Sequence, residues 1–291
     1  FYLDKVRTTL AQFGRDWSIE GAEERRACYD PILNELERRF PNKKKRATRK
    51  VLTPGAGLGR LTYDIAMRGF SSQGNEFSYF MLIGSNFVLN KTATVNQFTI
   101  YPYIRQTSNV VRNADQLRAV QVPDVLPSSV SSVGEGLLSM VAGDFLEVYT
   151  TSDQNQAWDC VATSFFIDTA HNVIDYVWVI ASLLKPGGVW INLGPLLYHY
   201  SDMANELSSE LSYDAVRHVI EKSGFKIEKE QFGLRCPYTI NKTSMLKVEY
   251  ECVLFVAVRD SSPAPGGLSS GTARTCSAEL NASSAARPSH T

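Results

Sequence analysis

The stretch at residues 50–76, KVLTPGAGLGRLTYDIAMRGFSSQGNE, decides the fold. Val51 and Leu52 read as the end of a buried strand. Gly55-Ala56-Gly57-Leu58-Gly59 then omits the β-carbon at alternate positions. There the backbone can take positive φ and a ligand can approach it closely. Leu58, Leu61, Ile65 and Met67 recur at roughly helical spacing. A short strand over residues 69–74 stops at an acid, Glu76. Strand, glycine turn, helix, strand and acid form the first unit of a nucleotide-binding, Rossmann-like half. The helix start offers free N–H groups, and Glu76 is placed to accept hydrogen bonds from a ribose diol.

Upstream, residues 1–49 read as an N-terminal helical segment. Leu3, Val6, Leu10 and Phe13 fall at helical spacing, and so do Ile32, Leu33 and Leu36. Asp16-Trp17-Ser18 separates the two helices, and Phe40-Pro41 ends the second. A helical lid on a nucleotide fold closes over its ligand, which singles out Gln12 and Arg15, although both also suit solvated helix positions. The run Lys43-Lys44-Lys45-Arg46 reads first as a solvated loop before a buried strand, and second as a nuclear import signal or phosphate patch.

Downstream, residues 77–96 read as a helix. Residues 97–138 read as an irregular insertion, too long for an ordinary connection. A strand at residues 139–142 leads into Asp144-Phe145. The apolar run at residues 158–167 has the character of a central parallel strand buried on both faces, and it ends at Asp168-Thr169-Ala170-His171-Asn172. A helix follows and is stopped by Lys185-Pro186-Gly187-Gly188. Strands at 189–193, 225–229 and 247–258 flank a helix at 213–223. The alternation gives an α/β class with a mostly parallel sheet and an antiparallel final strand. The main domain spans residues 50–260. The tail at 261–291, rich in Ser, Ala, Gly and Pro, reads as disordered.

Thirty basic residues balance thirty acidic ones, so no global charge draws the chain to nucleic acid or an acidic membrane. The five cysteines are scattered without CxxC spacing, which reads as reduced, buried thiols of an intracellular protein. With the four histidines they form no evident metal cluster. No apolar segment has the length of a membrane span, and no secretory signal is visible. A cytoplasmic setting follows, with the nucleus left open by the basic run.

The glycine pattern is GxGxG followed by Arg60, where a dinucleotide site carries Gly or Ala. A turn of this kind fits the amino-acid part of S-adenosylmethionine. Glu76 after the second strand fits the ribose, and Asp144-Phe145 after the third fits the adenine amino group and ring. Lys185-Pro186-Gly187-Gly188 before a strand is frequent in methyltransferases of this fold. In this order and spacing the set points to S-adenosylmethionine as methyl donor.

The stretches PGAGLGRL, QGNE followed by FML and SNFVLN, SFFIDTAHNVIDY and INLGPLLYH together resemble the carnosine N-methyltransferase family, from the first helices to about Arg259. The resemblance implies a class I methyltransferase with a mostly parallel seven-stranded sheet and an insertion after the second strand unit. It implies methylation of the imidazole of carnosine, or a related histidine-containing dipeptide, to give anserine. By position it implies cofactor contacts from Gln12, Arg15, Gly55, Glu76, Asp144, Phe145 and Ser164, with Gly57 in the same turn. Ser164 stands where relatives can carry Cys. It implies imidazole contacts from Asp168, His199 and Tyr250. Glu206 and Glu210 are candidates for the acceptor's amine. On the residues alone, Asp168 also suits a helix N-cap, His199 a structural histidine and Tyr250 core packing. Two other readings are a methyltransferase for histidine in peptides or proteins, and an inactive S-adenosylmethionine-binding scaffold. The expected partner is a small molecule, not nucleic acid or membrane, and a homodimer is left open.

Overall fold

In the computed structural model, residues 2–134 and 137–261 are described. Most of the tail read as disordered, residues 262–291, lies outside them. In chain order the elements are α1 (Tyr2–Trp17), α2 (Ala22–Arg39), β1 (Lys50–Pro54), α3 (Arg60–Ala66), β2 (Ser71–Glu76), α4 (Tyr79–Lys91), β3 (Phe98–Ile100), β4 (Val120–Val122), β5 (Leu138–Ala142), α5 (Phe145–Tyr149), β6 (Trp158–Ser164), α6 (Val173–Leu183), β7 (Leu184–Gly194), α7 (Tyr213–Lys222), β8 (Phe225–Pro237) and β9 (Glu249–Arg259).

Seven strands form one sheet in the order β5-β2-β1-β6-β7-β9-β8, and β9 runs antiparallel to both of its neighbours. This is a Rossmann-like α/β sheet, mostly parallel with one antiparallel strand. The chain order reverses between β1 and β6, so the C-terminal ends of these strands open a crevice, where such sheets bind their ligands. Both strands are almost wholly buried, consistent with their apolar sequence. Alternation along β7 sends Trp190 to the face covered by α6 and α7, with Val177, Ile180, Val216 and Ile220. Ile191 faces the other side, with Ile32, Leu33, Leu36, Leu61 and Ile65 of α2 and α3.

Pro31 lies inside α2 and has no N–H to give, so the Ala27 carbonyl lacks its ordinary partner. The Cys236 thiol of β8 donates to that oxygen at 3.9 Å, joining the helix to the sheet. Cys28, Cys160, Cys236 and Cys252 are free and buried. No described helix is long and apolar enough to cross a membrane.

Three local expectations change. Residues 97–138 are not simply irregular: β3 and β4 pair antiparallel within them. Val120 and Val122 pack with Phe13, Trp17, Leu58 and Tyr63, so the insertion braces α1 against α3. The strand expected at 225–229 runs on to Pro237. The basic run is a 3₁₀ turn with exposed Lys43, Lys44 and Lys45, but Arg46 is buried. Its guanidinium pairs with Glu37 at 2.7 Å and donates to the Phe40 carbonyl at 2.9 Å, over the Phe70 ring.

Arg60, which set this turn apart from a dinucleotide site, ties the insertion to the nucleotide unit. It donates to the Asp16 carbonyl and to Asp124, each at 2.7 Å, while Arg25 donates to the other oxygen of Asp124 at 2.5 Å. Asp124 is thus a buried carboxylate shared by two buried guanidinium groups. Removing one member of such a set leaves uncompensated charge out of water. Asp124→Ala is therefore expected to lower stability by about 3–5 kcal/mol, measured by urea unfolding. A loss below about 1 kcal/mol, the scale of an exposed ion pair, would contradict the buried role.

Candidate active site

A cavity of about 440 Å³ opens at the C-terminal ends of β1, β2 and β6, beneath α1. The glycine turn forms its floor. Gly55 and Gly57 have φ of +66° and +56°, which L side chains rarely adopt. A β-carbon on Gly55 would meet the Phe166 ring at 2.6 Å, whereas one on Gly57 would have only the Gln12 amide nearby, at 3.8 Å. Gly55 is therefore required by packing below the turn, and Gly57 leaves backbone open above it.

Glu76 locks that turn. Its Oε2 accepts the Gly57 N–H at 2.7 Å, and its Oε1 accepts the N–H groups of Phe77 and Ser78 at 2.9 and 2.7 Å. A carboxylate offers about four acceptor directions. Three are occupied, so a bound diol would take the remaining one and share another.

Gln12 and Arg15 reach the cavity from α1. The Gln12 amide donates to Asp16 Oδ2 at 3.3 Å. The Arg15 guanidinium is only 6% exposed, caged by the rings of Tyr29, Tyr238 and Phe165 at 5.1, 5.0 and 5.9 Å. Its Nε lies 2.7 Å from Glu24 Oε1, a close ion pair rather than an aligned hydrogen bond. Among the described residues, its Nη2 finds no hydrogen-bond partner although it is shielded from solvent. Ser164 Oγ, at the end of β6 and on the cavity wall, is in the same state. Arg15 and Ser164 both line this cavity, so a polar ligand bound there would find both groups unpaired.

Asp144 and Phe145 also border the cavity. Asp144 N-caps α5, accepting from Leu146 and Glu147 at 2.8 and 3.2 Å, which leaves its second oxygen available. Phe145 is more committed to the core than expected, packed on Tyr149, Phe166 and Tyr176, so only part of the ring borders the cavity.

The three residues implied for the imidazole separate into layers. His199 lines the cavity. Asp168 is 3% exposed and stands behind the wall. Its carboxylate accepts the Leu197 N–H at 2.9 Å, and its backbone carbonyl accepts the His199 N–H at 3.0 Å. Burial pushes the Asp168 carboxyl above the usual range, opposed by the Leu197 N–H and, whenever its ring is protonated, by nearby His199. Asp168 is the residue before Thr169 but does not cap α6; Asn172 does that. Tyr250 is half-buried and meets the cavity only through Phe165 and Tyr238, ring centroids 5.8 and 6.1 Å away.

Several cavity residues escaped the sequence reading. The strand expected to run through Ile167 stops at Ser164, because Phe165 takes φ +53° and turns the chain. Phe165 then faces Tyr238 and Tyr250, while Phe166 stacks on Tyr176. The aromatic pair just before Asp168 was the available signal, hidden in an apolar run. Tyr200 stacks on His171 at 3.6 Å at the cavity edge. His171 Nδ1 bonds the Leu207 carbonyl at 2.9 Å and therefore carries the proton, with Glu206 at 3.9 Å. Among the described residues, no group of three or more His, Cys, Asp or Glu is placed to hold a metal ion.

Comparison with known proteins identifies the family. The family model described as carnosine N-methyltransferase matches residues 1–261. The chain is 52% identical over 257 residues to carnosine N-methyltransferase of Mus musculus, covering 88% of this chain and 63% of that protein. It is 46% identical over 253 residues to carnosine N-methyltransferase unmet of Drosophila melanogaster, covering 87% and 54%. It is 45% identical over 258 residues to carnosine N-methyltransferase of Schizosaccharomyces pombe, covering 85% and 69%. The chain thus spans somewhat under two thirds of the mouse relative's length. With a family model matched along the whole sheet, glycine turn and cavity wall included, the chain belongs to the carnosine N-methyltransferase family.

Proposed function

We propose that this chain is an S-adenosylmethionine-dependent N-methyltransferase that methylates the imidazole of carnosine, or of a related histidine-containing dipeptide. The observation that carries the reading is the joining of two features in one cavity. The glycine turn, Glu76 and the unsatisfied Arg15 lie on one side, and the Asp168–His199 pair stands at the wall.

The residues fit the donor. Arg15 Nη2 and Ser164 Oγ lack partners among the described residues. The cavity lining carries Asp16, Glu76, Asp144 and Asp175 against one guanidinium, a balance suited to a cationic ligand. When bound, S-adenosylmethionine supplies a methyl group activated on a sulfonium sulfur. Arg15 would face its carboxylate, Glu76 would accept from the ribose hydroxyls and Asp144 from the adenine amino group. Gln12, Gly55 and Gly57 would border its amino-acid part.

The remaining work is orientation and proton handling. An imidazole attacks only through a neutral nitrogen, and its free pKa of about 6.5 makes that form available near neutrality. Its second nitrogen carries a proton that becomes more acidic as charge develops. His199, in front, receives that N–H. The buried Asp168 carboxylate behind it stabilises the positive charge in a low-dielectric setting. Phe165 and Tyr238 form the aromatic wall that positions the ring and excludes water, with Tyr250 packed against them from behind.

Incubation with labelled S-adenosylmethionine and either carnosine or a histidine-containing protein, followed by mass spectrometry, tests the reading. Anserine is expected; labelling of the protein with no anserine would overturn it. Glu76→Ala is expected to weaken S-adenosylhomocysteine binding, and unchanged affinity by calorimetry would remove Glu76 from the donor site.

Asp168 gives a sharper signature. Its folded carboxyl is raised, so the native state binds this proton more tightly than the unfolded chain. That contribution to stability is present at low pH and is lost as pH rises through the folded value. Asp168→Asn removes the buried charge and is expected to melt at or above the wild-type temperature at neutral pH. The same variant is expected to lose about a hundredfold or more in kcat, the scale of general acid–base assistance. Near-normal turnover would refute the assignment.

A further inference from the structure

Glu24, in the first turn of α2, is a carboxylate only 7% exposed that connects two walls of the cavity without lining it. Its Oε1 lies 2.7 Å from Arg15 Nε and accepts the Thr239 N–H at 2.7 Å, and its Oε2 accepts the Ile240 N–H at 3.2 Å. Thr239 and Ile240 follow Tyr238, whose ring covers Arg15 at 5.0 Å and meets Phe165 at 4.9 Å. One side chain therefore grips the guanidinium from below and the aromatic turn from outside.

The surroundings make this grip decisive. Thr239 sits at φ +48°, a conformation a threonine holds only when its neighbours impose it. A cavity of about 70 Å³ borders Arg15, Glu24, Tyr103 and Thr239, so close packing does not hold the turn on that side. The corner between α1 and α2 has no slack: a β-carbon on Gly21 would lie 2.0 Å from the Arg15 carbonyl oxygen. Arg25 donates to that same oxygen at 2.6 Å. The backbone of Arg15 is thus fixed independently, and Glu24 sets where its side chain and the Tyr238 turn stand relative to each other. A buried ion pair is weak support for stability as such, since an apolar replacement often packs as well. The geometry of this pair is that of a positioning contact.

Resting on the donor and acceptor sides assigned above, we propose that Glu24 is a positioning residue. Through it, the guanidinium that anchors the donor and the aromatic turn that walls the acceptor side move as one unit. Occupancy of the donor side then orders the Tyr238–Ile240 turn before the acceptor arrives.

The test uses S-adenosylhomocysteine as probe, with calorimetry and amide hydrogen exchange on wild type and the isosteric Glu24→Gln variant. Wild type is expected to bind the probe and to show slower exchange at residues 238–240 on binding. Glu24→Gln is expected to bind about tenfold more weakly, as fits loss of charge-assisted contacts, and its residues 238–240 are expected not to respond to the probe. Its acceptor KM is expected to rise more than its kcat falls, and its melting temperature to drop, as follows from breaking a buried ion pair, while the variant stays folded at the assay temperature. Retained affinity together with a retained exchange response would overturn the proposal. A melting temperature lowered so far that both losses follow the unfolded fraction would also overturn it, leaving Glu24 a structural residue. If wild type fails to methylate carnosine, the acceptor reading fails, while the calorimetry and exchange results still judge the role of Glu24.

Discussion

The burial of the Arg15 guanidinium is the constraint on which the site depends. A permanent charge taken out of water must be met by opposite charge, aromatic faces or hydrogen-bond acceptors. Here the partners come from several parts of the fold. Asp16 comes from α1 and Glu24 from α2; Tyr29 comes from α2, Phe165 from the turn after β6 and Tyr238 from the end of β8. The N-terminal helices are therefore a structural part of the cavity. The Arg15 Nη2 has no hydrogen-bond partner among the described residues, and Arg15 borders the space above the glycine turn.

The other half of the site follows from strand ends. β6 delivers Ser164, then turns sharply at Phe165, so the chain beyond it folds back under the loop that follows β7. The hydrogen bonds from Leu197 to the Asp168 carboxylate and from His199 to the Asp168 carbonyl fasten those two segments together. This places His199 forward and Asp168 behind. A carboxylate so buried is held at an electrostatic cost, which is what stabilising a transient positive charge requires.

The nucleotide unit was legible because its signals are local: three glycines, a helical apolar spacing and Glu76 all fall within residues 50–76. The mostly parallel α/β class with an antiparallel final strand followed from the alternation of apolar runs and helices. What stayed hidden depends on distant partners or on exceptions to a pattern. Arg60 could be seen as unsuited to a dinucleotide, but its partner Asp124 lies 64 residues away inside the insertion. The second half of β8 has largely exposed side chains and so lacks apolar alternation. Phe165 continues an apolar run in sequence while ending the strand in space. The family resemblance named Asp168, His199 and Tyr250 together, yet their layering from cavity to core was not written in any spacing.

The most direct measurement is a crystal structure of the protein with both S-adenosylhomocysteine and carnosine bound. The expected result has the donor's carboxylate on Arg15, its ribose on Glu76, and the acceptor imidazole against His199 with the Asp168 carboxylate behind it. An acceptor ring seated instead at the His171–Tyr200 edge, or a donor carboxylate away from Arg15, would contradict the assignment of this cavity.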